Sequence, residues 1–114
     1  MRVIRYDDIP EKPVDTEGAH GVGIRVLISE EDGAPNFIMR RFTIQPGGRT
    51  PYHSHDWEHE VFVLEGEGEV VQGEESCGIS EGSVVLVVPD EEHNFRNTGD
   101  TPLVFLCLIP VGRS

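Results

Sequence analysis

The chain has 114 residues, room for one hydrophobic core and a single domain. Nine Lys and Arg against 21 Asp and Glu leave a formal charge of −12, so phosphate backbones and anionic membrane surfaces are repelled and nucleic acid is excluded as a partner class. No apolar run reaches the roughly 18 residues of a membrane span, and the N-terminus lacks a signal-peptide core, so no membrane association and a cytoplasmic location are expected.

Residues 1–20 carry Pro10, Pro13 and Gly18 and read as an arm that packs on the outside of the domain or on a second subunit. Beyond it, glycine and proline punctuation at "EDGAP", "QPGG", "EGEG", "SEGS", "VPDEE" and "TGDTP" leaves only short apolar runs, too short for helices. The runs "VGIRVLIS", "NFIMRRFTIQ", "HEVFVLEG", "GEVVQ", "SVVLVVP", "HNFRN" and "PLVFLCLIP" alternate or are rich in β-branched and aromatic residues, and each predicts a strand. Short strands at this spacing indicate an all-β sandwich or barrel. Cys77 and Cys107 read as reduced thiols, because the chain has no disulfide-rich pattern.

The segment "PYHSHDWEHE" holds His53, His55 and His59, three of the five histidines. Side chains on an extended chain alternate faces, so His53 and His55 point the same way, and His59 shares their parity. A fourth histidine, His93, follows the turn at Pro89-Asp90, and a strand about 4.8 Å away would bring it to the same point. Four imidazoles gathered there repel one another if protonated and are costly to bury without partners. A transition metal resolves both problems, because neutral imidazole binds zinc, iron, nickel or copper at about 2.0 to 2.2 Å. Such a site is expected to lose its metal as the imidazoles protonate below about pH 6. His20 stands alone and reads as a surface residue, Trp57 as a packing anchor.

These residues resemble the two motifs of the cupin superfamily. In the first motif a glycine, five residues, His-x-His, a glutamate after three or four more and a closing glycine are matched by Gly47, His53, His55 and Gly66. In the second, Gly82, Pro89, His93 and Asn97 stand in order. The motifs cover 47–66 and 82–97. Counting back from Gly66 puts His59 where the family carries its metal-binding glutamate, whereas counting forward from His55 selects Glu60. His59 is preferred, since it shares the parity of His53 and His55. The second motif has one extra residue before its proline and lacks the glycine after it.

The resemblance is to small monodomain cupins with a four-histidine site, and it implies a double-stranded β-helix, or jelly roll. It also implies one divalent transition metal per chain (manganese, iron, nickel, copper or zinc) on His53, His55, His59 and His93, and a homodimer. Alternation from His59 sends Val61 inward, and the parity of Ile38, Phe42 and Ile44 forces Arg40 to the core face, where it is a rim ion pair or an anchor for a carboxylate or enolate. By the similarity, Phe105, Cys107 and Ile109 face the metal pocket. A wall of this kind suits a small, largely apolar substrate. The expected activity is that of a metal-dependent oxidoreductase of dioxygenase type. The alternatives are a metal-dependent isomerase or lyase, which needs an inward base, and a non-catalytic binding module.

Overall fold

The computed structural model describes residues 1–113. Nine strands follow one another with only two short 3-10 turns, Tyr6–Asp8 and Glu30–Asp32, as helical elements among the described residues. The strands are β1 (Lys12–Pro13), β2 (His20–Ile28), β3 (Phe37–Arg49), β4 (His59–Glu65), β5 (Glu67–Gln72), β6 (Glu75–Ser80), β7 (Val84–Val87), β8 (Asn94–Asn97) and β9 (Leu103–Pro110). They pair in the order β6-β5-β8-β3-β9-β4-β7, with β2 on the other side of β3 and β1 beyond it. This is the all-β, single-domain architecture that the punctuated apolar runs predict, in the jelly-roll form that the resemblance implies. Among the described residues, no helix is long and apolar enough to cross a membrane.

β3 joins the two halves. Its residues from Phe37 to Ile44 pair with β9, while Arg49 pairs with Arg96 of β8. The sequence predicts a turn at "QPGG", but the strand continues through Pro46, Gly47 and Gly48. The glycines make the bend possible. Gly47 adopts φ +79°, and a Cβ on Gly48 would come within 2.5 Å of the His20 carbonyl oxygen. β6 is a second departure, since "ESCGIS" buries only Ile79 and so offers no alternation to read.

β4 alternates as its sequence requires: His59, Val61 and Val63 are buried, and Glu60 and Phe62 are exposed. β9 pairs with β3 on one side and β4 on the other; Leu103, Phe105, Cys107 and Ile109 are buried on one face, and Leu106 and Leu108 are half-buried on the other. The core gathers Ile38, Ile44, Val63, Leu103, Phe105 and Ile109 from these strands. The arm packs on its own domain: Lys12 and Pro13 pair with Ile24 and Gly23, and the Val14 amide donates to the Val22 carbonyl at 2.9 Å. Cys77 is exposed on β6, Cys107 is buried on β9, and both are free thiols.

Candidate metal centre and cavity

His53 and His55 do not lie in a regular strand, yet exposure alternates residue by residue from Pro51 to His59, so the parity argument holds without a ladder. His53 forms an isolated antiparallel bridge with His93, its amide donating to the His93 carbonyl at 3.1 Å and accepting in return at 3.0 Å through its own carbonyl. The Asp90 amide donates to the His55 carbonyl at 2.6 Å. Below the bridge, the Phe95 amide donates to Thr50 Oγ1 at 2.9 Å, and Asn94 Nδ2 donates to the Thr50 carbonyl at 3.2 Å. Two loops distant in sequence are thereby held together by backbone and short polar side chains. Asn97, buried at the end of β8, donates from Nδ2 to the carbonyls of Ile44 and Thr101, each at 2.8 Å, and fastens the same strand to β3.

The four rings form one cluster. Centroid separations are 4.2 Å for His53–His55, 5.0 Å for His55–His59, 5.3 Å for His59–His93, 5.4 Å for His53–His93 and 6.3 Å for His55–His93. Among the described residues, no three His, Cys, Asp or Glu side chains are already arranged as a coordinating group. The rings are gathered, and their donor atoms are not converged.

The donor chemistry nevertheless fits a transition ion. His59 is buried, and its Nε2 has no hydrogen-bond partner. Its Nδ1 lies 3.2 Å from Cys107 Sγ. With Nδ1–H donating to sulfur, Nε2 keeps a bare lone pair, the form that binds a metal. His93 is oriented in the same way: Nδ1 is 2.8 Å from the Glu91 carbonyl oxygen, which can only accept, so Nδ1 is the donor and Nε2 is the nitrogen left for a metal.

Electrostatics favour the neutral form of His53, His55 and His59. Burial first, then the neighbouring imidazoles and Arg40, push His55 down to about 4; burial first, then Arg40 and the other rings, push His59 down to about 3. His53 is lowered by burial and by His93. Cys107 moves upward, because burial outweighs the opposing pull of Arg40, and its sulfur is a thiol.

The rings sit on the wall of a cavity of about 460 Å³ whose lining is mainly apolar. Arg40, Phe42, Phe105 and Cys107 lie on that wall, together with Phe95, Trp57 and Tyr52. Val61 and Ile109 do not reach it. Both belong to the packed core, because parity determines which face a side chain takes and not whether it stands at the cavity or beyond it. Glu60 is exposed on the outer face of β4. Trp57 stacks on His55 with centroids 4.3 Å apart, and His20 is exposed on β2.

Val14, Thr16 and Glu17 of the arm also line the cavity. The Ala19 amide donates to the Thr16 carbonyl at 3.0 Å, and Gly18 packs beside Pro51, which sets this turn next to the histidine loop. Glu17 is the sole carboxylate on the described wall. Sequence reasoning missed it, since its place depends on the pairing of β1 with β2, and a two-residue strand containing proline gives no pattern.

The Cupin domain family model matches residues 40–109. The chain is 32% identical over 111 residues to the oxalate-binding protein of Thermotoga maritima, covering 94% of this chain and 92% of that one. It is 25% identical over 123 aligned positions to the 1-methylthio-D-xylulose 5-phosphate methylsulfurylase of Rhodospirillum rubrum, covering 94% and 78%. Among solved structures, the polyketide cyclase RemF of Streptomyces resistomycificus superposes with a TM-score of 0.93 at 31% identity, over 99% of this chain and 81% of that one. The jelly roll, the two glycine-bounded histidine segments and these likenesses together show that the chain belongs to the cupin family.

Proposed function

We propose that this protein is a metal-dependent enzyme in which His53, His55, His59 and His93 hold one divalent transition ion at the end of an apolar cavity that takes a small carbonyl compound. The observation that carries the reading is the buried, unpartnered Nε2 of His59 within a cluster of four imidazoles. When bound, the ion supplies a Lewis acid for a carbonyl or enolate oxygen. Phe42, Phe95, Phe105 and Trp57 exclude water and receive an aromatic or unsaturated body. Glu17, the one carboxylate on the described cavity wall, is the base that removes a proton next to the carbonyl, as a lyase, isomerase or cyclase requires. Likeness to a polyketide cyclase over nearly the whole chain supports this enolising chemistry.

Dioxygenase turnover is the second reading, favoured by the same apolar walls; His53, His55, His59 and His93 would hold an ion that could supply dioxygen chemistry beside them. Protein reconstituted with manganese or iron is incubated with aromatic 1,3-diketones, with and without dioxygen. Turnover that persists anaerobically and falls at least about tenfold in Glu17→Gln supports the enolising reading. Turnover strictly coupled to dioxygen uptake supports the oxygenase instead, and none with any metal contradicts both.

A further inference from the structure

The cavity contains a permanently charged side chain without a counter-ion. Arg40 points inward from β3 between Ile38 and Phe42, at a position whose neighbours of the same parity are all apolar. Its Nη2 donates to Cys107 Sγ at 3.1 Å and lies 3.4 Å from His59 Nδ1, and its guanidinium stacks over the Phe42 ring at 4.9 Å. Its Nε is buried and unpartnered. The salt bridges among the described residues join Arg2 to Asp32, Arg5 to Asp7 and Arg96 to Glu69, and none reaches Arg40. Glu17, the one carboxylate on the wall, is exposed on the arm and forms no ion pair with it.

A half-buried guanidinium held by a thiol and an aromatic face is poorly compensated for its lost hydration. A methionine would fill the same space without that cost. The histidines offer no negative charge, and a divalent ion on them would add to the excess of positive charge. The rim ion pair that the sequence leaves open for Arg40 is absent among the described residues.

We propose that Arg40 is the anchor for an anionic group on the cavity's ligand, a carboxylate or enolate carried on an aromatic body. The proposal rests on the substrate cavity described above and narrows its ligand class: neutral aromatics, polyols and cations leave Arg40 unpaired, and a planar oxyanion pairs with its fork of donors. The apolar part then lies against Phe42, Phe95, Phe105 and Trp57.

The test is calorimetric titration of the full chain with 2-naphthoate and with 2-naphthamide, which differ in charge and hardly in shape. It is carried out on metal-reconstituted and on chelator-treated protein. Naphthoate is expected to bind about tenfold or more tightly than the amide in both preparations. Arg40→Met, which keeps the packing of the stem, loses that preference while its circular dichroism stays that of the wild type, and Arg40→Lys keeps a preference for the anion. Equal binding of the two probes by the wild type, or a preference undiminished in Arg40→Met, overturns the proposal. The chelator-treated sample makes this result independent of the metal, whose content is measured separately.

Discussion

His53 and His93 exchange both of their backbone hydrogen bonds, at 3.1 and 3.0 Å, across a bridge that belongs to no strand. The two cupin motifs are therefore joined by main chain, and the imidazoles are carried by a clamp that does not depend on them. Replacing the half-buried His53 by alanine is expected to leave metal-free stability within about 1 kcal/mol of wild type while lowering metal content severalfold. Chemical denaturation and elemental analysis of one preparation read both quantities.

His59 is buried with a free Nε2, whereas its neighbour Glu60 is exposed on the other face of β4. His59→Ala is expected to lower metal affinity at least about tenfold, and Glu60→Ala to leave it unchanged. Competition with a chromophoric chelator measures the pair, and the opposite ranking would put the carboxylate in the ligand set.

Cys107 connects Arg40 to His59 through its sulfur, 3.1 and 3.2 Å from the two nitrogens. Cys107→Ala removes the sulfur against which Nδ1 of His59 rests, and about a tenfold loss of metal affinity is expected. Cys107→Ser, which still accepts, keeps most of it. Equal losses in the two variants would show that sulfur serves only as packing.

The pH dependence follows from neutral histidines. His53, His55 and His59 have folded pKa values below the unfolded value of 6.5, with His55 near 4 and His59 near 3. Above 6.5 neither state binds these protons. As pH falls below it, the unfolded chain takes them up and the folded chain does not, so metal-free protein loses stability progressively from pH 6.5 toward pH 4. The same depression weakens proton competition for the ring nitrogens, and a bound ion is expected to be released below the pH of about 6 set by free imidazoles. A melting temperature that stays level or rises on acidification of the metal-free protein would contradict this account.

Gly66 turns the chain between β4 and β5 at φ +89°, and a Cβ there would stand 2.3 Å from the Pro102 carbonyl oxygen. Gly33 has a similar φ of +94° with nothing within 4 Å. Gly66→Ala is expected to cost about 3 kcal/mol or more, combining steric conflict with left-handed strain, and Gly33→Ala only about 1 kcal/mol. Denaturant unfolding of both variants checks the difference.

Much of this was legible in the residues. The parity that aligned His53, His55 and His59 survives in a segment with no ladder, because alternation belongs to extended backbone and not to pairing. Arg40 was placed inward by Ile38 and Ile44, which are 5 % and 0 % exposed. What was not legible depends on contacts remote in sequence. The continuation of β3 through Pro46 needs glycines packed against β2, β6 hides because its side chains face solvent, and Glu17 reaches the cavity only once β1 has paired with β2. Val61 and Ile109 take the inward face that parity gives them but pack in the core rather than on the cavity wall, a distinction that no alternation encodes.

The most direct test of the central claim is elemental analysis of untagged protein after chelation and reconstitution with manganese, iron, nickel, copper or zinc, beside a His53→Ala/His59→Ala variant treated identically. The account predicts about one equivalent of ion per wild-type chain and a small fraction of that in the variant. Wild-type protein that retains no ion, or a variant that retains as much as the wild type, would contradict it.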